Sequence, residues 1–196
     1  VLPPDVNESY DGFSVSGRDI RFGLAAVKGV GRSFMKQLVE EREAGGLFTS
    51  FQDFCERMYD RELNRRALES LIKAGAFDSM GYRRSQLIKI VNAVVDAIAQ
   101  SRRKNIEGQM DLFGTGNDAV QDTQIALPDI PEVSKRELLS MEKETTGLYL
   151  SGHPMDEYRE LAQKASAASI RRIIDDLSGE NASPAYKDGM TVRLAC

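Results

Sequence analysis

The sequence is poor in the residues that build metal centres and disulfide frameworks, and it has no long apolar run. Its 196 residues include two cysteines, Cys55 and Cys196, and one histidine. These form no CxxC pair or Cys/His cluster, which argues against zinc and disulfide frameworks and favours a reducing cytosol. No window approaches the ~18 apolar residues of a membrane span, so we expect no membrane contact. The first residues have neither the basic nor the apolar region of a signal peptide.

Both ends of the sequence read as cuts into a longer chain. The first residue is Val1 rather than Met, and residues 190–195 alternate like a strand that has no following turn. Alternation of this kind predicts a half-buried strand, and a lone strand would have no partner. We therefore expect an internal piece of a larger protein, with a β domain beginning near residue 188.

The net charge of −4 argues alone against a nucleic-acid binder, but the charges are segregated along the chain. Residues 61–104 carry 10 basic and 4 acidic side chains, whereas residues 105–160 carry 4 basic and 12 acidic ones. A basic block followed by an acidic block suits a DNA-facing element joined to a segment that avoids DNA. Two ordinary solvated helix faces would give the same distribution.

The hydrophobic pattern predicts a mainly α-helical fold after a short N-terminal β-hairpin. Apolar residues on both sides of a glycine-containing turn at 17–19 predict the hairpin. Helices are expected at about 24–28, 32–44, 51–59, 65–74, 83–104, 134–147, 156–164 and 169–177. Ser50, Asn64 and Ser134 are expected N-caps. Gly, Asp and Pro punctuate residues 105–132, which predicts a flexible linker.

Residues 24–35, here called the first hairpin, match the helix-hairpin-helix pattern. Gly29 and Gly31 allow a tight turn and a close approach to phosphate, and Val30 between them is expected to point inward. The following helix would then aim its unpaired amides and positive dipole end at the phosphate, with Lys28 and Arg32 on either side. Such contacts predict sequence-independent, salt-sensitive DNA binding. A plain tight turn is the alternative, and Met35 occupies a position that usually holds a small residue.

Residues 68–77, here called the second hairpin, repeat the pattern in degenerate form. Only Gly75 stands where the pattern has two glycines. Nearby basic residues favour a second contact with phosphates, and the candidates are Lys73, Gly75, Arg83 and Arg84. The alternative is a scaffold hairpin that only packs against the first.

One apolar island lies inside the predicted linker. Its residues are Gln109, Met110, Asp111, Leu112 and Phe113. A solvated linker has little reason to expose Leu and Phe together unless a partner covers them, so this segment is a candidate docking peptide. The alternative is that Leu112 and Phe113 fold back onto neighbouring helices.

No residue combination predicts a catalytic or metal site. His153 stands between Gly152 and Pro154, which favours a structural turn. Asp175 and Asp176 are adjacent on a predicted helix and point to different faces, so a solvated helix end is the simpler interpretation.

Five stretches in order resemble the α subunits of bacterial DNA polymerase III, the C-family replicative polymerases. They are residues 2–7, 20–31, 72–78, 109–113 and 150–154. The resemblance implies that residues 1–19 end the fingers region and 20–106 form a tandem helix-hairpin-helix domain on duplex DNA. It further implies that 107–132 carry a peptide for the β sliding clamp, 133–187 form a helical connector and 188–196 begin an OB-fold.

The same resemblance implies a parent DNA-directed DNA polymerase of the bacterial cytoplasm, working within a replicative holoenzyme. Its Mg²⁺-binding carboxylates would lie upstream of this segment, so no catalytic residue or cofactor is expected here. Two other functions stay open at this point. One is a stand-alone helix-hairpin-helix module of a repair or recombination factor, and the other is a helical scaffold that binds only protein.

Overall fold

The structure, a computed structural model, describes residues 1–61, 63–106, 125–179 and 184–195. The chain divides into two compact units, Val1–Ser151 and Gly152–Cys196. The first unit contains strands β1 (Ser14–Ser16) and β2 (Asp19–Arg21) and helices α1 (Arg32–Gly45), α2 (Phe51–Met58), α3 (Arg65–Ala74), α4 (Arg84–Ile106) and α5 (Lys135–Thr146). The second contains α6 (Arg159–Lys164) and α7 (Ile170–Leu177). The predicted mainly helical fold and N-terminal β-hairpin are confirmed.

Side-chain caps set the starts of three helices where the sequence predicts them. Ser50 Oγ accepts a hydrogen bond from the Asp53 amide at 3.0 Å, which starts α2. Asn64 Oδ1 accepts one from the Ala67 amide at 2.8 Å, which starts α3. Ser134 forms a reciprocal capping box at the start of α5. Each cap satisfies an amide that has no acceptor within its own helix. No helix among the described residues is long and apolar enough to cross a membrane.

The core of the first unit is centred on aromatic side chains from α2 and the loops beside it. The Phe54 ring is fully buried and meets the rings of Phe48 and Phe77 edge-on at 4.9 and 5.0 Å. Phe51 also packs against Phe77, at 5.1 Å in the same geometry, which suits the positive edge and negative face of aromatic rings. Apolar residues of α1, α3 and α4 complete this core, among them Met35, Leu38, Leu68, Leu71, Ile72, Leu87 and Val91.

The N-terminal segment is fastened to the helices by buried polar contacts. The side chain of Asn7 exchanges two hydrogen bonds with the main chain of Phe48, at 2.8 and 2.9 Å. Arg42 of α1 donates from Nη1 to the carbonyls of Val6 and Ser9, both at 2.9 Å. Residues 1–9 therefore pack with the helical domain, although the resemblance allots them to a neighbouring region.

The predicted linker makes hydrogen bonds with α4 at its C-terminal end. Its residues 107–124 lie outside the described residues, but residues 128–132 contact the beginning of α4. Gln86 Nε2 donates to the Pro128 carbonyl and Ser85 Oγ to the Pro131 carbonyl, both at 2.9 Å. The α5 helix then packs against α3. It thus belongs to the first unit and not to a separate connector.

Hydrogen bonds to main-chain groups around α7 hold the residues of the second unit together. Asp176 is buried, and its Oδ2 accepts hydrogen bonds from the amides of Ala185 at 2.8 Å and Tyr186 at 3.0 Å. The Ala168 amide donates to the Arg193 carbonyl at 2.7 Å. The alternation at residues 190–195 predicts a strand, but no strand occurs in the described residues 184–195. The start of an OB-fold stays a prediction.

Candidate nucleic-acid interface

A tight turn over residues 27–31 joins a short 3-10 helix to α1. The sequence predicts an α-helix at about 24–28, whereas the structure has the 3-10 helix Leu24–Ala26 followed by extended backbone at Val27. Gly29 has φ +83°, a conformation that side chains disfavour. Val30 is only 9% exposed and joins the core, as the sequence predicts, so it fixes the turn.

The start of α1 is open to solvent and carries no side-chain cap. Gly31 is the N-cap residue, and no side chain of the described residues accepts a hydrogen bond there. Gly31, Arg32 and Ser33 are all exposed, and a Cβ added at Gly31 would meet nothing within 4 Å. Because the first amides of a helix have no acceptor within it, α1 presents free donors and a positive dipole end. In contrast, α2, α3, α5 and α7 each begin with a capping side chain.

Two exposed cations flank this helix start. Lys28 and Arg32 are exposed, and neither forms a salt bridge with another residue of the described parts of the chain. The Lys28 amide donates to the Thr145 carbonyl of α5 at 2.7 Å, which fixes the main chain just before Gly29. The two side chains are therefore free to bind an anion on either side of the Gly29–Gly31 bend, as the hairpin pattern predicts.

The turn packs against one face of α3 and leaves a cleft beside it. A Cβ added at Gly29 would lie 3.0 Å from Ser70 Oγ and 3.8 Å from Arg66 Nε, so the close approach itself favours glycine. The cleft, here called the hairpin cleft, has a volume of about 330 Å³. It is lined mainly by Lys28, Gly29, Arg66, Ser70, Lys73 and Glu144.

Gly75 of the second hairpin has a structural role. It ends α3 with φ +83°. A Cβ there would lie 2.4 Å from Arg84 Nη2 and 2.7 Å from Asp78 Oδ2, so the glycine makes room for a side-chain ion pair. Gly75 is also buried, which leaves no space for a phosphate at this glycine.

Comparisons with known proteins show what this chain is similar to. A family model described as a helix-hairpin-helix motif matches residues 1–87. DNA polymerase III subunit alpha of Saccharopolyspora erythraea is 40% identical over 181 residues, which cover 89% of this chain and 15% of that protein. The corresponding protein of Deinococcus radiodurans is 42% identical over 168 residues, covering 85% of this chain and 12% of the relative. That of Chlamydia pneumoniae is 39% identical over 211 residues, covering 100% and 17%.

This chain is similar to one segment of the DNA polymerase III α subunit. It spans 12 to 17% of the length of these three relatives. The resemblance stated from five short stretches is therefore confirmed across most of the chain.

Arg84, which the sequence predicts as a DNA contact, is not available to DNA in the structure. Its side chain is only 5% exposed. Nη2 lies 2.7 Å from Asp78 Oδ2 and 3.0 Å from Glu142 Oε1, and Nη1 donates to the Lys73 carbonyl at 3.0 Å. The guanidinium joins the end of α3 to α5. Its place in a basic block predicts a DNA contact, but burial between two carboxylates makes Arg84 a structural link.

The partner carboxylate of Arg84 is itself fully satisfied. Glu142 is completely buried, and its Oε2 accepts hydrogen bonds from the amides of Leu150 at 2.8 Å and Ser151 at 3.0 Å. Burial raises the pKa of Glu142, but these amides and Arg84 outweigh it and hold the pKa below its usual range. The ionised carboxylate thus fastens the end of the first unit to α5.

Another carboxylate, that of Glu132, occupies the free amides at the start of α4. Glu132 accepts hydrogen bonds from the amides of Arg84 at 2.7 Å and Ser85 at 3.0 Å. The neighbouring Arg83 donates to the Ile130 carbonyl at 2.7 Å and lies 3.4 Å from Asp129. The donors that a phosphate would use there are therefore occupied, which favours the scaffold interpretation of the second hairpin.

Lys73 and Arg66 lie beside Gly29 of the first hairpin and do not form a separate phosphate site. Lys73 is partly exposed at the rim of the hairpin cleft, 3.4 Å from Glu144. Arg66 lies seven residues earlier on α3, two helical turns away on the same face, and the sequence places it in the nearby basic block but not among the candidate contacts. Its spacing from Lys73 was the available signal. The docking candidates Gln109, Met110, Asp111, Leu112 and Phe113 lie outside the described residues.

The remaining polar candidates have structural roles. His153 Nδ1 accepts a hydrogen bond from the Met155 amide at 3.1 Å and caps a 3-10 turn, as predicted. Among the described residues, no group of three or more His, Cys, Asp or Glu side chains could hold a metal ion.

Proposed function

We propose that this chain is a non-catalytic, duplex-DNA-binding segment of a replicative DNA-directed DNA polymerase. It holds the sugar–phosphate backbone through the first hairpin and leaves nucleotide addition, with its Mg²⁺ ions, to the rest of the polymerase. Homology to DNA polymerase III α subunits and the helix-hairpin-helix match support this function. They also favour it over a stand-alone repair module or a scaffold that binds only protein.

The observation that carries the proposal is the uncapped, exposed start of α1. Gly31 leaves the space in front of the helix empty, and the first amides have no side-chain acceptor. A backbone phosphate supplies both the acceptor oxygens and the negative charge that this helix end lacks. Lys28 and Arg32 then add charge-assisted hydrogen bonds from either side.

Binding of this kind reads shape and charge rather than bases. Phosphate contacts fix the position of a protein on DNA but carry no sequence information. Each neutralised phosphate releases counterions, so affinity falls steeply as salt rises. We therefore expect similar affinity for duplexes of unrelated sequence and a linear loss of log affinity with log salt concentration.

The test is a Gly31→Leu substitution in the full 196-residue chain. Gly31 has φ −74° and no neighbours within 4 Å of an added Cβ, so leucine fits the free protein and obstructs only an approaching phosphate. Hydrogen bonds to charged groups contribute about 1.5–3 kcal/mol, which predicts roughly ten- to hundred-fold weaker duplex binding. Fluorescence anisotropy with a labelled duplex at several salt concentrations measures it.

Ala44→Leu is the matched control, because it adds the same side chain to an exposed position near the other end of α1. It should bind duplex DNA like the unsubstituted chain. Equal affinity of Gly31→Leu and Ala44→Leu would remove the first hairpin from the DNA site. Gly29 is a poorer test position, because its positive φ and its approach to Ser70 make any side chain disturb the free protein.

We also propose that Gln109, Met110, Asp111, Leu112 and Phe113 dock on the β sliding clamp of the holoenzyme. Support comes from the sequence alone: two large apolar side chains stand in a stretch rich in Gly and Asp. Replacing Leu112 and Phe113 together by Ala should abolish clamp binding in a surface plasmon resonance assay and leave duplex affinity unchanged. Ala at Asp118 and Asp122 is the control pair, and clamp affinity that survives the Leu112/Phe113 change would refute the docking peptide.

A further inference from the structure

The hairpin cleft gathers three cations next to Gly29. Lys28 comes from the turn, and Arg66 and Lys73 come from the face of α3 that packs against it. Ser70 lies between the two α3 cations and places its hydroxyl 3.0 Å from the position of a Cβ on Gly29. Cations and a hydroxyl around one glycine form a suitable set of donors for a phosphodiester oxygen.

A carboxylate of α5 reaches into the same cleft. Both Glu144 oxygens lie 3.4 Å from Lys73 Nζ, although Glu144 is 66% exposed. The next residue, Thr145, accepts the hydrogen bond from the Lys28 amide, so α5 contacts both sides of the cleft. Glu69 is the second acid among the lining residues, which leaves the cleft with three cations and two carboxylates.

We propose that the hairpin cleft is a second phosphate subsite of the duplex-DNA interface, and that Glu144 occupies it in the free protein. A backbone phosphate next to the one bound at Gly31 replaces the Glu144 carboxylate on Lys73 and also engages Arg66. This inference rests on the proposed DNA-binding function. It assigns Arg66 as a DNA contact and α5 as the helix that closes the subsite.

Replacement of Glu144 by a phosphate is favourable because the Lys73–Glu144 ion pair is weak and a phosphate binds cations more strongly. Exposed ion pairs contribute little to stability, since water screens them and both side chains lose conformational freedom. A phosphate offers several acceptor oxygens and can accept two parallel hydrogen bonds from Arg66. Glu144 therefore lowers DNA affinity slightly without preventing binding.

The first test is Glu144→Gln in the full chain, with duplex affinity measured at about 50 mM salt. Loss of an exposed competitor should tighten binding by about two- to five-fold. Glu43→Gln removes the same charge from an exposed position near the end of α1 and should have a smaller effect. In a Lys73→Gln background, the gain from Glu144→Gln should fall to that of Glu43→Gln, because Glu144 has lost the cation with which it pairs.

The second test addresses Arg66 through the salt dependence. Arg66→Gln should make the slope of log affinity against log salt shallower by roughly 0.9, the value of one lost phosphate contact. Arg18→Gln, on the exposed turn of the β-hairpin, should leave the slope unchanged. Thermal unfolding of each variant confirms that the fold is retained.

Three results would overturn the subsite. They are an affinity of Glu144→Gln equal to that of Glu43→Gln, a gain that persists in the Lys73→Gln background, and an unchanged slope for Arg66→Gln. If any one of them occurs while Gly31→Leu still weakens binding, the proposed function stands and only the subsite fails. No salt-dependent binding by the unsubstituted chain would overturn both.

Discussion

Glu132 is a single carboxylate that decides what the start of α4 can bind. Partial burial raises the pKa of Glu132, but hydrogen bonds from Ser85, Val133 and Arg84 outweigh it and hold the pKa below its usual range. An ionised carboxylate at a helix N-terminus satisfies free amides and opposes the positive dipole end. Glu132 therefore stabilises the first unit and closes α4 to external anions at the same time.

The folded-state pKa of Glu132 lies below its unfolded value, so its contribution is complete above the unfolded pKa of about 4.3. That contribution is lost as the pH falls through the folded pKa. Glu132→Gln should lower the free energy of unfolding by about 1 kcal/mol at pH 7, as loss of a helix cap does. Urea unfolding at pH 7 and at lower pH measures the difference between the two proteins, which should shrink on acidification.

Glu43→Gln is the control for this change, because Glu43 is exposed and makes no salt bridge with a described residue. It should have little effect on unfolding at either pH. Equal stability of Glu132→Gln and the unsubstituted chain at pH 7 would contradict the capping role, as would a deficit that persists undiminished in acid.

At the scale of single residues, the sequence predicted local backbone conformation better than it predicted which side chains are buried. Gly29, Val30 and Gly31 adopt the turn that their order predicts, because each position imposes a local steric demand. Arg84 could not be placed in the same way. Its burial depends on Asp78 and on Glu142, which lies 58 residues further along the chain. Local charge counts contain no information about a contact of that range.

At the scale of elements, helix positions were predictable wherever a cap and an apolar stripe coincide. The bounds of α2, α3 and α5 follow Ser50, Asn64 and Ser134, whose caps act within three residues. The domain to which α5 belongs was not predictable. Its packing depends on contacts with α3 and on the Lys28–Thr145 hydrogen bond, both distant in sequence.

The same long-range contacts give α5 its functional importance. The helix supports the turn before Gly29 through Thr145 and reaches Lys73 through Glu144. A hairpin motif is usually described as two helices and a turn, but here a third helix, from within the acidic block, packs against the motif. The proposed DNA-binding unit therefore extends to residue 151, the boundary of the first compact unit.

At the scale of the whole molecule, a net charge of −4 is compatible with DNA binding because some cations are paired internally and others are not. Several cations of the basic block are paired internally, including Arg84 with Glu142, Arg65 with Asp96 and Arg102 with Asp60. The exposed cations at the first hairpin have no such partners among the described residues. A local concentration of free cations, not total charge, determines where an anionic partner binds.

The most direct measurement of the central claim is an amide chemical-shift titration of the ¹⁵N-labelled chain with duplex DNA. The account predicts that the amides of Gly29, Gly31, Arg32 and Ser33 shift first, do so for duplexes of unrelated sequence, and return as salt is added. The capped amides of Arg84 and Ser85 should change little. Unperturbed amides at the start of α1, alongside clear shifts elsewhere, would contradict phosphate binding by the first hairpin.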